Sequence, residues 1–378
     1  MRETALGQPP AAAASSRIAA LDLMRGYLIL VIASVHLAYY PSLLGAIDGR
    51  GQLWVSEAEG FFFISGLLIG IIRRKDIERS GMKTAVKKVL ARGWRLYLAG
   101  VILSLIYVVW GRALLGIAPD AVKDGLDAGS SWWNVLFQTL IMRYSYGWSD
   151  FLMYYAGFLF VTPVVLWLLR RGWWYVALAG TLGVWYWRWA GGFGPYNSFL
   201  QWQVYFFLGA IIGYYWNEIA GWFRGLPMLT RRWIKWVLAV VTVVAFLISV
   251  VVVFGPQASQ NPWVGWIGQV NGSHAYNRLL VDGRIGLLRP ILALLTLGGV
   301  FFTVRKYEDQ IIRWVGWLLL PFGRNSLYVY IVEGLLLYLV PFGFKAGGLV
   351  VNSLIELAMI AIVWLCVRYR VLFKVIPR

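Results

Sequence analysis

Hydrophobic residues along this chain gather in long runs, and short polar stretches separate one run from the next. Each run is about 20 residues long, which is the length that a helix needs to cross about 30 Å of hydrocarbon. The pattern predicts an all-α, polytopic integral membrane protein. Its ten expected membrane-spanning helices cover roughly residues 22–41, 54–72, 91–110, 149–169, 173–190, 199–216, 234–254, 285–303, 325–342 and 348–367.

The composition argues against a soluble globular protein. Of the 378 residues, 60% are hydrophobic and 14% are charged, whereas soluble domains are roughly half apolar and a quarter charged. A net charge of +18 on a soluble protein would suggest a nucleic-acid partner. Here Lys and Arg gather in alternate loops, so we expect the lipid bilayer, and no nucleic acid, as partner.

The positive charges predict the orientation, because cytoplasmic loops carry an excess of Lys and Arg. Residues 73–95 contain nine cations but only two acids, Asp76 and Glu78. Every second junction repeats this excess, including the cations that follow the last hydrophobic run. We therefore expect both termini to be cytoplasmic and the long loops 111–148 and 255–284 to face outward.

The chain is expected to hold a single membrane domain. Residues 1–20, with Pro9 and Pro10 and an alanine run, lack the apolar core of a signal peptide and are predicted to be a disordered lead. Residues 21–370 form the ten-helix domain, and 371–378 form a short cytoplasmic tail. The single cysteine, Cys366, allows no intrachain disulfide.

The first hydrophobic run carries a cation and an imidazole on one stripe. Eleven residues separate Arg25 from His36, which on a helix is about three turns and about 16 Å. Ionisable groups inside a span are costly, so each is a functional candidate. The structural alternative is a snorkelling Arg25 held by Asp22, with His36 as an interhelical hydrogen-bonding group.

Glu59 is predicted to share a depth with His36. Each residue lies four or five positions inside the outer end of its run. A carboxylate on one imidazole nitrogen would fix the tautomer and let the other nitrogen take a proton from a hydroxyl. The alternative, which we prefer for Glu57, is an acid that caps the start of its helix.

Two further sets of charged residues are candidates. Arg92 and Arg95 are three residues apart and so share a helix face, where guanidinium groups suit phosphate recognition; anchoring at the inner surface explains them almost as well. Glu333 lies about nine residues into the ninth run, near the midplane, and an acid at that depth needs a partner.

Trp202 and Gln203 put an indole beside an amide near the outer face, where they could bind a sugar. An aromatic-belt residue with an interhelical amide is equally consistent. Ser65 and Gly66 are as consistent with close packing of two helices as with a functional site. Asp282 is consistent with balancing the charge of Arg278 and Arg284, which lie on either side of it. The sequence has no Walker loop, dinucleotide fingerprint or metal-ligand spacing, so no metal is expected.

Several motifs together resemble a known family. Arg25 and His36 in the first run, Phe-Phe-Phe-Ile-Ser-Gly in the second and Arg-x-x-Arg opening the third resemble the acyltransferase-3 superfamily. The Leu-Asp-x-x-Arg-Gly start, Glu59 ahead of Phe-x-x-Ser-Gly, Trp-Gln before Phe-Phe-x-Gly, and Gly-Arg-Asn-Ser-Leu look like its OpgC branch. That branch is known for succinylating osmoregulated periplasmic glucans.

The resemblance implies ten helices in a bacterial inner membrane, a cytoplasmic acyl-CoA donor and an extracytoplasmic glycan hydroxyl as acceptor. It implies that His36 is the catalytic histidine. It also places Arg25, Arg92 and Arg95 on the donor path, and we add Ser65 and Arg324 as expected donor-binding residues. Glu333 departs from the histidine expected in many members, which makes it a candidate acid or base.

The resulting hypothesis is an O-acyltransferase for succinyl or acetyl groups. His36 would act as general base oriented by Glu59, although a transient acyl-histidine is equally compatible with the residues. The rival is a proton-coupled transporter or flippase of a glycolipid or anionic solute with His36, Glu59 and Glu333 as proton relay; the repeated halves typical of transporters are not seen. A structural subunit is the least favoured option, and the oligomeric state stays open.

Overall fold

A computed structural model describes residues 18–48, 53, 55–117, 122–190, 196–254, 286 and 288–377, without the side chains of 48, 188–190, 197, 198 and 251–254. Within these ranges all regular secondary structure is helical. The helices, in chain order, are α1 Ala19–Leu37, α2 Leu43–Asp48, α3 Glu57–Leu114, α4 Trp132–Leu140, α5 Asp150–Arg170, α6 Trp174–Ala190, α7 Asn197–Tyr214, α8 Trp216–Gly225, α9 Met228–Phe254, α10 Arg289–Lys306, α11 Glu308–Arg324, α12 Ser326–Gly343 and α13 Leu349–Arg368.

The all-α prediction is confirmed for the described residues, but the ten crossings are not. Six described helices are long and apolar enough to span a membrane, namely α1, α3, α5, α9, α12 and α13. A seventh span results if α10 and α11 count together, although a 96° bend separates them. The run 199–216 coincides with an apolar helix shorter than a full span. The orientation of the termini stays a prediction.

Helix α3 contains two of the predicted runs and the charged stretch between them. The expected loop 73–95 is wrong, because the whole segment is helical apart from Gly81, whose φ of 80° breaks the helix. Lys, Arg, Ala and Met favour helix, and Arg74 and Glu78 form an i,i+4 ion pair at 2.8 Å. The second and third runs are therefore joined by helical extensions.

Glycines let α1 and α11 approach backbone to backbone. A Cβ at Gly26 would collide with the carbonyl oxygen of Leu319, and a Cβ at Gly323 with that of Asp22. The tight contact holds the end of α11, and the start of α12 that follows it, against α1. Asp22 and Arg25 are thereby brought to the same corner as Arg324.

The packing interpretation of the Ser65–Gly66 pair is confirmed for Gly66. A Cβ at Gly66 would collide with the carbonyl oxygen of Phe206 in α7, and Gly209 of α7 makes the reciprocal contact with Phe63. Small residues allow helices to pack closely in a membrane. Helix α7 is thus fixed against the first half of α3.

Candidate active site

His36 lies on the last turn of α1, between two aromatic rings. Its ring centre is 5.8 Å from that of Trp148, which precedes α5, and 6.1 Å from that of Tyr330 in α12. Among the described residues, Nδ1 of His36 has no hydrogen-bond partner. Packing against aromatic rings therefore sets the ring position.

Two further tyrosines extend this aromatic cluster. Tyr107 of α3 stacks on Tyr338 of α12 with ring centres 4.5 Å apart, and Tyr338 lies 5.2 Å from Trp148. Both tyrosines are buried. The half-buried His36 is thus bordered by side chains from α12 and the turn before α5, and Tyr107 of α3 contacts the same Trp148 ring at 6.4 Å.

Glu333 belongs to the same neighbourhood as His36. It follows Tyr330 by three residues on α12 and so shares its helix face, and its side chain is buried. The Tyr107 hydroxyl lies 2.6 Å from the position that a Cβ would take at the adjacent Gly334. Within the described part of the chain, Oε1 of Glu333 has no hydrogen-bond partner.

Glu59 does not contact His36, contrary to the prediction. Arg289 Nε lies 2.5 Å from Glu59 Oε1, and the Tyr205 hydroxyl donates to the same oxygen at 3.1 Å. The backbone N–H of Ser56 donates to Oε2 at 2.8 Å. Glu59 sits in the first turn of α3, where its carboxylate turns back to cap its own helix.

Arg289 was missed by the sequence reasoning. It begins α10, is 9% exposed at its side chain, and also donates to the Leu53 carbonyl oxygen at 3.0 Å. The sequence did contain a signal for Arg289, because it is a cation near the outer end of the predicted run 285–303. It ties α10 to the segment that leads into α3.

Glu356 is a buried acid that the sequence reasoning also missed. The hydroxyls of Ser34 and Ser42 donate to its Oε1 at 2.8 and 2.9 Å. Its neighbours on α13 hold the same loop, because the Asn352 side chain donates to Pro41 O and Ser353 Oγ accepts the Leu43 N–H, both at 3.0 Å. The chain that follows His36 is therefore braced by α13.

Two of the predicted donor-binding residues meet at the other end of α1. Arg25 donates to the Ser326 hydroxyl, and its guanidinium carbon lies 5.6 Å from the centre of the Phe61 ring. Arg324 pairs with Asp22 at 3.6 Å. Arg25 and Arg324 thus flank the start of α12.

Arg92 and Arg95 have different neighbours among the described residues, and a shared donor site stays a prediction. The guanidinium carbon of Arg92 lies 5.8 Å from the Tyr155 ring centre. Arg95 donates to Ala91 O at 3.2 Å and lines a separate cavity of about 600 Å³ together with Lys374. The two side chains leave the helix axis in directions about 60° apart, and the C-terminal segment lines the cavity at Arg95.

The proposed sugar-binding pair is used for packing. The Gln203 side-chain oxygen accepts a hydrogen bond from the Thr181 hydroxyl at 2.5 Å, and its amide nitrogen donates to the Thr181 carbonyl oxygen at 2.8 Å. These two bonds connect α7 to α6. The Trp202 ring lies 5.7 Å from that of Phe62. These contacts favour the interhelical interpretation. Ser65 is buried in α3, and Asp282 lies outside the described residues.

A series of aromatic rings connects Arg25 with His36. Phe61, beside Arg25, lies 5.1 Å from Phe151, measured between ring centres. Phe151 lies 5.0 Å from Tyr330, which contacts His36. The two ends of the α1 stripe are therefore joined along one wall of side chains from α3, α5 and α12.

Among the described residues, no group of three or more His, Cys, Asp or Glu side chains is arranged to hold a metal ion. In comparisons with known proteins, the sequence model of the OpgC protein family matches residues 17–375. No curated protein and no solved structure matches the chain. The family match indicates, in general terms, a glucan-modifying membrane transferase.

Proposed function

Because the chain belongs to the OpgC protein family, we propose that it is an O-acyltransferase of the bacterial inner membrane. It moves a succinyl or acetyl group from a cytoplasmic acyl-CoA to a hydroxyl of an extracytoplasmic glycan. The family match supports acyl transfer to a glucan. The choice of donor and acceptor follows from the family resemblance, and the choice of residues rests on the contacts around α1.

The observation that carries this proposal is the aromatic series from Arg25 to His36. A cytoplasmic thioester and an outer hydroxyl must meet across the bilayer, so the enzyme needs an anion-binding group at one depth and a base at another. Arg25 and His36 supply these groups about 16 Å apart along one helix. The aromatic rings between them form an apolar surface, which suits the narrow arm of the CoA donor that carries the thioester.

In this reaction His36 is the general base. The imidazole takes the proton of the glycan hydroxyl while the hydroxyl oxygen attacks the thioester carbonyl carbon. The new C–O ester bond forms, the C–S bond breaks, and the thiolate leaves with its electron pair. The imidazolium then returns the proton to the thiolate, so that a glycan ester and a free thiol result.

The remaining candidates take separate roles. Arg25 and Arg324 bind the donor phosphates as charge-assisted hydrogen-bond donors. Glu333, which is buried on the helix face that carries Tyr330, exchanges protons with the His36 neighbourhood. Glu59 has a structural role and does not touch the reacting atoms, because its carboxylate pairs with Arg289 and accepts a hydrogen bond from Tyr205.

The test is acyl transfer by purified protein in nanodiscs. Labelled succinyl-CoA and acetyl-CoA are offered with a mixed glucan acceptor to the wild type, to His36→Ala, and to His274→Ala as a control for the other histidine. We expect label in the glucan with the wild type and His274→Ala only. No transfer by the wild type from either donor, with a thermal stability that CoA does not change, would favour the transporter instead.

A further inference from the structure

The cavity beside Arg95 lies between α3 and the segment that follows α13. Its volume is about 600 Å³, and its described lining residues belong to α3 and to this C-terminal segment. Two of them are cations, Arg95 and Lys374, whereas the others are apolar and include Leu98, Ile102 and Val375. The cavity is therefore separate from α1 and α12, which carry the residues of the proposed reaction.

Specific contacts fix the C-terminal segment that forms one wall of this cavity. The Tyr328 hydroxyl of α12 donates to the Val371 carbonyl oxygen at 2.6 Å, and the Phe373 ring centre lies 4.6 Å from that of Tyr328. Two backbone N–H groups further along donate to the Leu372 carbonyl oxygen at 2.9 Å. Lys374 is therefore presented to the cavity from an ordered turn.

The two cations face the cavity without a counter-charge. Arg95 donates from Nε to the Ala91 carbonyl oxygen of its own helix, so its two terminal nitrogens remain available. Over the ranges that the structure describes, neither Arg95 nor Lys374 forms an ion pair. Two like charges on one cavity repel each other, and guanidinium and ammonium groups both bind phosphate oxygens. The charged part of the cavity therefore suits a phosphate group.

An apolar stripe continues from Arg95 along α3. Leu98, Ile102, Ile106 and Val109 follow in steps of three or four residues and so share a helix face, and their side chains are exposed. Arg95 and Ile106 are eleven residues apart, or about 16 Å on a helix. This length is close to the depth of one leaflet, about half of the roughly 30 Å hydrocarbon layer. A phosphate at Arg95 with an apolar chain along this stripe describes a membrane lipid.

From this arrangement we propose that Arg95 and Lys374 bind the phosphate of an anionic phospholipid, whose acyl chain lies along Leu98 and Ile102. The predicted cytoplasmic side of the tail places this lipid in the inner leaflet. A net negative charge selects it over zwitterionic lipids, because each cation near the membrane surface adds to the attraction. The lipid links the C-terminal segment to α3. This role for Arg95 differs from the donor binding expected from the sequence.

The experiment measures lipid binding to the purified protein in detergent by native mass spectrometry. Dioleoyl phosphatidylglycerol is compared with dioleoyl phosphatidylcholine, which has the same acyl chains but no net charge. The proteins are the wild type, the double variant Arg95→Met, Lys374→Met, and the matched control Lys83→Met, Lys87→Met, which removes two exposed cations from α3. The ratio of the two dissociation constants is compared between proteins, because it does not depend on the fraction of each preparation that is folded.

We expect phosphatidylglycerol to bind about tenfold more tightly than phosphatidylcholine to the wild type and to the control. In Arg95→Met, Lys374→Met the two lipids should bind almost equally, because the charges that distinguish them are gone. An unchanged ratio in this double variant, or equal binding of both lipids to the wild type, would overturn the lipid site.

Two soluble phosphates separate a lipid site from a general phosphate site. Glycerol phosphate has the charged headgroup without the acyl chains, and CoA is the carrier of the proposed donor. We expect neither to displace phosphatidylglycerol from the wild type at equal concentration. Displacement by glycerol phosphate would overturn the contribution of the apolar stripe. Displacement by CoA would assign the two cations to the donor and overturn the lipid site.

Discussion

Glu59 and Arg289 form a buried ion pair, with Oε1 and Nε 2.5 Å apart and side chains that are 0% and 9% exposed. The pair joins the first turn of α3 to the first residue of α10. Tyr205 adds a hydroxyl from α7 to the same oxygen. Glu59, which we expected to orient the imidazole of His36, instead joins three helices.

Replacing only one member of this pair should lower the free energy of unfolding. Arg289→Met leaves a buried carboxylate without its cation, and we expect it to lower the free energy of unfolding by about 3 kcal/mol. Glu59→Gln should cost a similar amount, because it leaves the guanidinium without its carboxylate. The double variant Glu59→Gln, Arg289→Met should recover most of the loss. Denaturant titration in detergent measures all four proteins, and additive losses would contradict a coupled pair.

Glu356 should act as a positioning residue for His36. Glu356→Ala leaves the Ser34 and Ser42 hydroxyls without their acceptor, which costs about 1–3 kcal/mol for each buried donor. It also releases the loop that follows His36, so we expect kcat for acyl transfer to fall about tenfold with little change in donor KM.

The conservative variant separates this role from simple destabilisation. Glu356→Gln retains a side-chain oxygen for the two serines and should restore most of kcat as well as the stability. Equal kcat values for the wild type and a folded Glu356→Ala protein would rule out positioning.

The contact between α1 and α11 should not tolerate a methyl group. In Gly26→Ala the Cβ collides with the Leu319 carbonyl oxygen, and two packed backbones cannot move apart cheaply, so we expect a loss of about 2 kcal/mol or more. Gly180→Ala in α6 is the control, because no atom lies within 4 Å of its Cβ position. Thermal unfolding should show a lower Tm for Gly26→Ala alone, and equal Tm values for both variants would argue against the close approach.

The contact between α8 and α3 should contribute a pH-dependent stability. A hydrogen bond from Arg74 lowers the pKa of Glu218 below its usual 4.5. A lowered carboxyl pKa stabilises the fold above the unfolded pKa, and this stabilisation is lost as the pH falls through the folded value. The contribution is small because Glu218 is half exposed. Between about pH 6 and about pH 3, Glu218→Gln should therefore lose slightly less stability than the wild type, and an equal loss would contradict the pair.

Depth along a helix was predictable from the sequence, whereas rotation about the helix axis was not. The positions of Arg25 and His36 on one stripe follow from the rise per residue, and the structure joins them through one wall of rings. Whether Glu59 turns toward His36 or Arg289 depends on α10, which packs there from 230 positions away along the chain. The neighbours of Arg95 likewise include the distant C-terminal segment, which lines the cavity beside it.

Other differences from the sequence-based expectation have local causes. Glu356 could have been found, since an acid in the middle of the last run meets the same criterion as Glu333. The helical stretch 73–95 was predicted as a loop because its charge was used to assign orientation, although its residues favour helix. Close approach at Gly26 had no signal in a single sequence, because glycine is frequent in membrane helices in general.

Transfer across a sealed bilayer tests the central claim most directly. Labelled succinyl-CoA is enclosed in proteoliposomes and glucan is added outside, so that donor and acceptor meet only through the protein. We predict label in the outer glucan with the wild type and a loss of at least about a hundredfold in rate with His36→Ala. Equal labelling with both proteins, or labelling only after the vesicles are opened, would contradict a reaction at His36 that joins the two sides of the membrane.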